Sequence, residues 1–226
     1  MLIDLIKKMA SHYATLKPAH MAGTFNLVIG NERFHVTMTR EEVSAKPGED
    51  ESAFITLRMG EDTFDKVHNG TWTGLTAAGR ENIRQSAPID FSLPAGVALT
   101  PQLMQDIYHL GMHFFATEPP HTYNFGPDHT RKIHGGNATA LAYGPGVRFA
   151  YYTISGDEQI NESDSRDPMD QFISVIGGEG LALIEGREIE LHRGIAVHIP
   201  PLATHVFRAK PGSQLELFWL AYGKGA

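Results

Sequence analysis

Twelve histidines and no cysteine define the chemistry open to this chain. Without thiols there are no disulfides, iron–sulfur clusters, thiolate zinc sites or cysteine nucleophiles, so any metal must rest on imidazole nitrogen and on oxygen. His121, His129 and His134, with Asp128 and Arg131 beside them, crowd one short stretch. Such a cluster can line a metal or substrate site, or it can be a packing loop whose imidazoles bond to backbone. His205 lies shortly after Pro200-Pro201. His198, an odd number of residues away, faces the other side of its strand and reads as a surface or satisfied core residue. Other catalytic signatures are missing: Ile176-Gly177-Gly178-Glu179-Gly180 lacks the Gly-Lys-Ser/Thr of a phosphate loop, and neither a serine nucleophile elbow nor His-Glu-x-x-His occurs. The Glu41-Glu42 pair sits in a charged loop and needs no catalytic role.

These side chains need elements to position them, and hydrophobic periodicity supplies the candidates. Leu2, Leu5, Ile6, Met9, Tyr13 and Leu16 recur at helical spacing and predict a helix over 2–16, with Pro18 just past its end. The period then falls to two. Phe25, Leu27 and Ile29, a Gly30-Asn31 turn, and Phe34, Val36 and Met38 predict a β-hairpin with one buried face. Residues 41–52 are charged and contain Pro-Gly, the composition of a surface loop. A strand over 53–59, a short helix over 61–68 stopped by Asn69-Gly70, and a strand over 71–78 follow. Residues 90–96 have some β character, and Thr100 as N-cap with Pro101 behind it opens a helix to about 115. Beyond Pro119-Pro120 come short strands punctuated by glycine: 138–143, 147–154, 171–176, 181–184, 187–191, 195–199, 204–209 and 214–222. Strands so spaced, with no helices between them, predict an antiparallel barrel or jelly roll. The expected order is an α+β domain over 1–118, a junction over 119–136, and an all-β barrel over 137–226.

Composition agrees with two folded halves. The 226 residues exceed one typical domain of roughly 100–150. With 42% hydrophobic and 20% charged residues the chain is neither disordered nor a coiled coil. A formal charge of −7 leaves no basic surplus to neutralise phosphates, which argues against nucleic acid as a partner. No apolar run reaches the length of about 20 residues needed to span a membrane. Met1 to His20, with Asp4 and a charged face, reads as neither secretory signal nor anchor, so the cytoplasm is the default location.

Gly177-Gly178-Glu179-Gly180, Glu185-Gly186-Arg187-Glu188 and Leu191-His192-Arg193-Gly194, followed by Ile199-Pro200-Pro201 and His205, resemble the cupin family. Gly194, Pro200 and His205 carry the spacing of its second motif, with Leu202 where the turn usually has glycine. The resemblance implies a cupin barrel, of a kind that commonly pairs into homodimers through its strands, and a site in which His205, Gln171 and Asp167 converge. Two of the family's usual imidazoles are replaced, by Ser165 and Asp167. One nitrogen and two oxygens would make a weak site for one divalent metal, Fe, Mn, Ni or Zn. The alternative is a metal-free cupin whose histidine serves a ligand pocket.

In the first half, Ala53 to Met59, then Glu61 to Gly70, then Thr73-Gly74-Leu75 to Gly79-Arg80 resemble the sterol-carrier-protein type-two family. That resemblance implies a five-stranded sheet under helices, with an apolar tunnel between them for a lipid or acyl chain. Phe25, Val36, Met38, Leu57 and Trp72 would line it, with Met104 and Tyr108 on a lid helix. An apolar stripe at these spacings is also what ordinary core packing produces. Three functions follow for the whole chain: a small-molecule binding protein with a degenerate cupin, a metal-dependent cupin oxygenase or isomerase, and a structural or oligomerising module in which the apolar segment 215–220 is core or interface.

Overall fold

The apolar stripe at the start of the chain buries as its spacing requires. In the computed structural model, which describes residues 1–80, 85–133 and 135–226, helix α1 (Leu2–Tyr13) turns Ile6, Met9, Ala10 and Tyr13 inward. Strands β1 (Gly23–Ile29) and β2 (Glu32–Met38) form the hairpin, with Phe25 opposite Val36 and Leu27 opposite Phe34. The expectation of a loop over 41–52 is corrected: Val43 and Ala45 point into the core and form strand β3 (Val43–Pro47), which pairs with β2. Only that one edge of β3 is used, and Pro47 is tolerated because an edge strand need not donate on its free side. Strand β4 (Ile55–Met59) runs parallel to β1, helix α2 (Glu61–His68) follows, and the expected strand over 71–78 is instead a short helix, α3 (Gly74–Ala78). Thr73 caps it, its hydroxyl accepting the Thr76 amide at 3.0 Å. Gly74 is required there, since a Cβ would run into the Gly111 carbonyl. Strand β5 (Ile89–Ser92) completes a sheet in the order β3-β2-β1-β4-β5, and helix α4 (Pro101–His113) starts from Thr100, whose hydroxyl accepts the Leu103 amide at 3.1 Å. Tyr13, Phe25 and Phe114 meet edge to face where helices and sheet share one core.

Among the described residues the second group of elements is all strand apart from a single 3₁₀ turn at Pro127–His129. Strands β6 (Arg131–Ile133), β7 (Gly136–Gly144), β8 (Val147–Ser155), β9 (Gln159–Ile160) and β10 (Asp170–Gly177) are followed by β11 (Glu179–Ile184), β12 (Arg187–His192), β13 (Ala196–Ile199), β14 (His205–Ala209) and β15 (Gln214–Tyr222). They pair antiparallel as two sheets, β13-β10-β15-β8-β7-β6 and β12-β11-β14-β9. Of the expected antiparallel barrel or jelly roll, the all-strand character is met, and no closed barrel is found among the described residues. Among the described residues no hydrogen-bonded ladder joins the sheets; their apolar faces meet instead, with Ile173, Val175, Leu215 and Leu217 from the larger sheet against Ala182, Leu191 and Phe207 from the smaller.

The chain divides into two units, Met1–Ala78 with Ser86–Tyr123, and Gly79–Gln85 with Asn124–Ala226. The architecture is mostly β with few helices. No helix among the described residues is long and apolar enough to cross a membrane.

Candidate functional site

In the second unit, β10 and β15 are neighbours with Gln171 opposite Ala221 and Ile173 opposite Trp219. On both strands alternate residues face the space between the sheets, and β14 delivers His205 and Phe207 to the same space. The result is a cavity of about 340 Å³ whose walls include Tyr152, Phe207, Trp219, Met169 and Leu217. His205, Gln171 and Asp167, assigned from widely separated motif positions, all line it. Asp167 is held by its backbone, because its carbonyl accepts the Leu202 amide at 2.7 Å. Leu202 adopts φ +65°, the left-handed conformation that a glycine would take without strain. Ser165, the other substituted position, accepts the Glu162 amide on its hydroxyl at 3.1 Å.

The hydrogen bonds fix the direction of each polar group. Trp219 can only donate, and its Nε1–H lies 2.6 Å from Gln171 Oε1. The amide is thereby oriented: its Nε2 faces Asp167 and donates to Oδ2 at 3.0 Å. His205 Nδ1 donates to the Ala203 carbonyl at 2.9 Å. Its Nε2 is buried, has no partner among the described residues, and lies 3.7 Å from Asp167 Oδ2. Burial, with Tyr143 and Asp167 adding to it, raises the Tyr152 hydroxyl above the ordinary tyrosine range, so it stays neutral.

This donor set does not fit a resident metal. The Gln171 oxygen is turned to the indole and the amide offers N–H, not a lone pair, to the centre. One imidazole nitrogen and one carboxylate oxygen remain, and among the described residues no group of three histidine, aspartate or glutamate side chains is arranged to hold a cation.

The remaining histidines lie elsewhere. His198 is largely exposed and bonds to Asp170 Oδ1 at 3.0 Å. The expected cluster of His121, His129 and His134 resolves into separate roles, with His134 outside the described residues. His129 belongs to the second unit, where its carbonyl accepts the Thr139 hydroxyl at 2.9 Å. His121 belongs to the first unit and shares a hydrogen bond of 2.7 Å with His12, Nε2 to Nε2. Nearby, His109 bonds to the Tyr13 hydroxyl at 2.8 Å, and its ring centroid lies 4.5 Å from that of His113. Burial pushes His109 down to about 4, with His113 adding to the effect, and burial likewise lowers His113 and His121. His109, His113 and His121 are therefore neutral at neutral pH.

Of the residues proposed to line an apolar tunnel, Phe25, Val36, Met38 and Leu57 are buried in the first unit's core, while Trp72, Met104 and Tyr108 are partly exposed. Lys66 Nζ sits 4.9 Å above the Trp72 ring. A cavity of about 220 Å³ in this unit is lined by other residues, among them His68, Gly70, Phe115 and His121.

Sequence reasoning missed Tyr152 and Arg148 as pocket residues. Their signal was alternation on β8, where Arg148, Ala150, Tyr152 and Ile154 share one face, and a charge in such a row marks a place where the interior is polar.

Scans against family models and curated proteins returned no match. Among solved structures, similar ones include a cupin 2 conserved barrel domain protein from Rhodopseudomonas palustris, with 19% identity over 40% of this chain and 63% of that one, TM-score 0.36. Another is a cupin 2 conserved barrel domain protein from Salinispora arenicola, with 13% identity over 47% of this chain and 92% of that one, TM-score 0.42. A third is the polyketide cyclase RemF from Streptomyces resistomycificus, with 19% identity over 39% of this chain and 65% of that one, TM-score 0.35. The chain thus spans less than two thirds of the first and third of these proteins. The first two of these are cupin proteins by name; the chemistry of the site is read from its own side chains.

Proposed function

We propose that the protein binds a small organic molecule in the second unit's pocket, within a cupin-type two-sheet fold. The observation that carries this is the inward-facing, unpartnered Nε2 of His205, beside Asp167, in a cavity of mixed polar and apolar lining. An orphaned buried acceptor costs about 1–3 kcal/mol, and a ligand donor removes that cost. Aromatic and aliphatic walls with polar groups converging on one space, here His205, Asp167, Gln171, Arg148 and Asn161, are the usual make-up of a small-molecule site.

The competing function, a metal-dependent oxygenase or isomerase using His205, Gln171 and Asp167, needs the Gln171 oxygen turned inward, against its bond to Trp219. Elemental analysis of protein purified without added metal or chelator separates the two. Substoichiometric metal in the wild type supports the binding function. Stoichiometric iron, manganese, nickel or zinc that disappears in His205→Ala overturns it.

For the first unit we propose an apolar-ligand role of the sterol-carrier type, supported by its five-stranded sheet packed against helices. Native mass spectrometry after gentle purification should show co-purified lipid; protein that carries none and binds no fatty acid or sterol analogue counts against it. Pairing of two copies through the strands of the second unit belongs to the same proposal and is tested by light scattering.

A further inference from the structure

In the first unit, the segment that follows α4 is anchored at both ends and held by little between them. Phe114 and Phe115 are buried at its start. At its far end the Tyr123 hydroxyl donates to the Met112 carbonyl at 2.8 Å, and the Thr122 carbonyl rests over Gly70, where a Cβ would stand only 2.5 Å from it. Among the described residues no backbone–backbone hydrogen bond involves residues 116–123. Besides the Tyr123 bond, the side-chain ties are a long one of 3.4 Å from His68 Nδ1 to the Phe115 carbonyl, and the 2.7 Å bond between the Nε2 atoms of His121 and of His12 on α1. The segment forms one wall of the cavity of about 220 Å³, opposite Val67, His68, Gly74, Gly111 and Met112.

These ties answer differently to acid. Burial raises the Tyr123 hydroxyl above its ordinary range, so it keeps its proton and donates throughout. His68 donates through Nδ1 whether its ring is neutral or charged. The imidazole pair behaves otherwise, because a 2.7 Å contact needs one Nε2–H facing one bare Nε2. With both rings neutral, the donor ring still has a basic Nδ1. A first added proton settles there, leaves the bond in place and makes it charge-assisted. A second proton has only the accepting lone pair to take, so it breaks the bond and sets two cations face to face. Burial lowers His121, with His12 adding to the effect. Around the pair stand His113 on α4, whose ring neighbours that of His109, then His68 on α2, and Glu118 and Tyr123 in the segment itself. Lys8, one turn before His12 on α1, is exposed, and Asp106 on α4 is engaged by His20 and Gln102. Glu118 is exposed, so its screened charge does little to offset the repulsion of two imidazolium rings in contact.

We propose that residues 116–123 are an acid-released strap over this cavity, clasped by the shared hydrogen bond of His12 and His121 and opened when both rings carry a proton. The ends stay fastened by the buried Phe114 and Phe115 and by the Tyr123 hydroxyl, so the release is a local opening and the rest of the unit stays folded. At neutral pH the strap walls the cavity; in mild acid it swings clear and the cavity opens to solvent and to whatever binds there.

The full-length protein, labelled with ¹⁵N, is followed by NMR from neutral pH into mild acid. At neutral pH the ring-nitrogen signals of His12 and His121 should show one protonated and one bare Nε2. The backbone amides of Ala116, Thr117, Glu118, His121 and Thr122 should then have the order parameters of a rigid backbone, about 0.85. Once the second Nε2 gains its proton these should fall below about 0.6, while the amides of β1 and β2 keep about 0.85. In His121→Gln, whose amide oxygen accepts from His12 Nε2–H in either state of that ring, the strap should stay ordered across the whole titration. Two bare or two protonated Nε2 atoms at neutral pH overturn the clasp. Strap amides that hold their order after both rings are charged, or that loosen equally in His121→Gln, overturn the release. Should that variant fail to fold, the unaltered chain decides by comparison of the strap with β1 and β2: order lost in all of them together is unfolding and overturns the proposal.

Discussion

Because an indole N–H can only donate, Trp219 decides which way the Gln171 amide points, and through it what the pocket offers a ligand. Gln171→Leu would leave that N–H buried without its acceptor and Asp167 without its donor. The second unit should lose about 1–3 kcal/mol, read as a lowered urea midpoint with unchanged slope. Leu202 makes the opposite prediction. It is exposed and holds a left-handed φ of +65°, which costs a non-glycine residue about 1–2 kcal/mol, so Leu202→Gly should raise the stability by up to about 1 kcal/mol after the glycine's extra unfolded entropy is counted, read as a higher urea midpoint. At this scale Gln171, Asp167 and His205, which the cupin resemblance implied as a converging set, do line one cavity. The amide's orientation was not legible, since it depends on a residue 48 positions away whose facing only the sheet register sets.

Among the elements, those with a long, uniform period were readable and those made by their neighbours were not. Helix α1, the β1–β2 hairpin and α4 with its Thr100 cap follow directly from spacing and capping. Strand β3 hides among charged residues because it needs only Val43 and Ala45 facing inward and is paired on one side. Helix α3 was obscured by threonines that look strand-like but cap and bond to one another, Thr73 to Thr76 at 2.8 Å. The turn between β10 and β11 gives a sharper test of local geometry. Gly178 has φ +71°, and a Cβ there would collide with the Gln214 backbone, whereas Gly186, at φ +76° in the next turn, has open space around it. Gly186→Ala should therefore cost only the backbone penalty of about 1–2 kcal/mol. Gly178→Ala should cost several times more or prevent the second unit from folding, as chemical denaturation and near-ultraviolet circular dichroism would show.

At the scale of the whole molecule, acid should act first on the first unit. His109 titrates near 4 when folded against about 6.5 when unfolded, and His113 and His121 are shifted the same way. Asp106 opposes the shift at His109, while His113 and His20 reinforce it. The unfolded chain takes up these protons more readily, so stability is full above about pH 6.5 and declines as the pH falls toward 4. The urea midpoint of the first unit should drop across that window, and His109→Gln should flatten the dependence; a midpoint indifferent to pH between 6.5 and 4 would contradict the neutral state of these half-buried imidazoles. The larger sheet of the second unit has a consequence for the order of synthesis. Its middle strand, β15, is drawn from residues 214–222 and lies between β10 and β8. On the ribosome, β8 and β10 must wait for it with one ladder edge each open, for several seconds at about 5–20 residues per second. During that interval the nascent second unit is a half-built template for strand addition, the state in which a holding chaperone would find the most to bind.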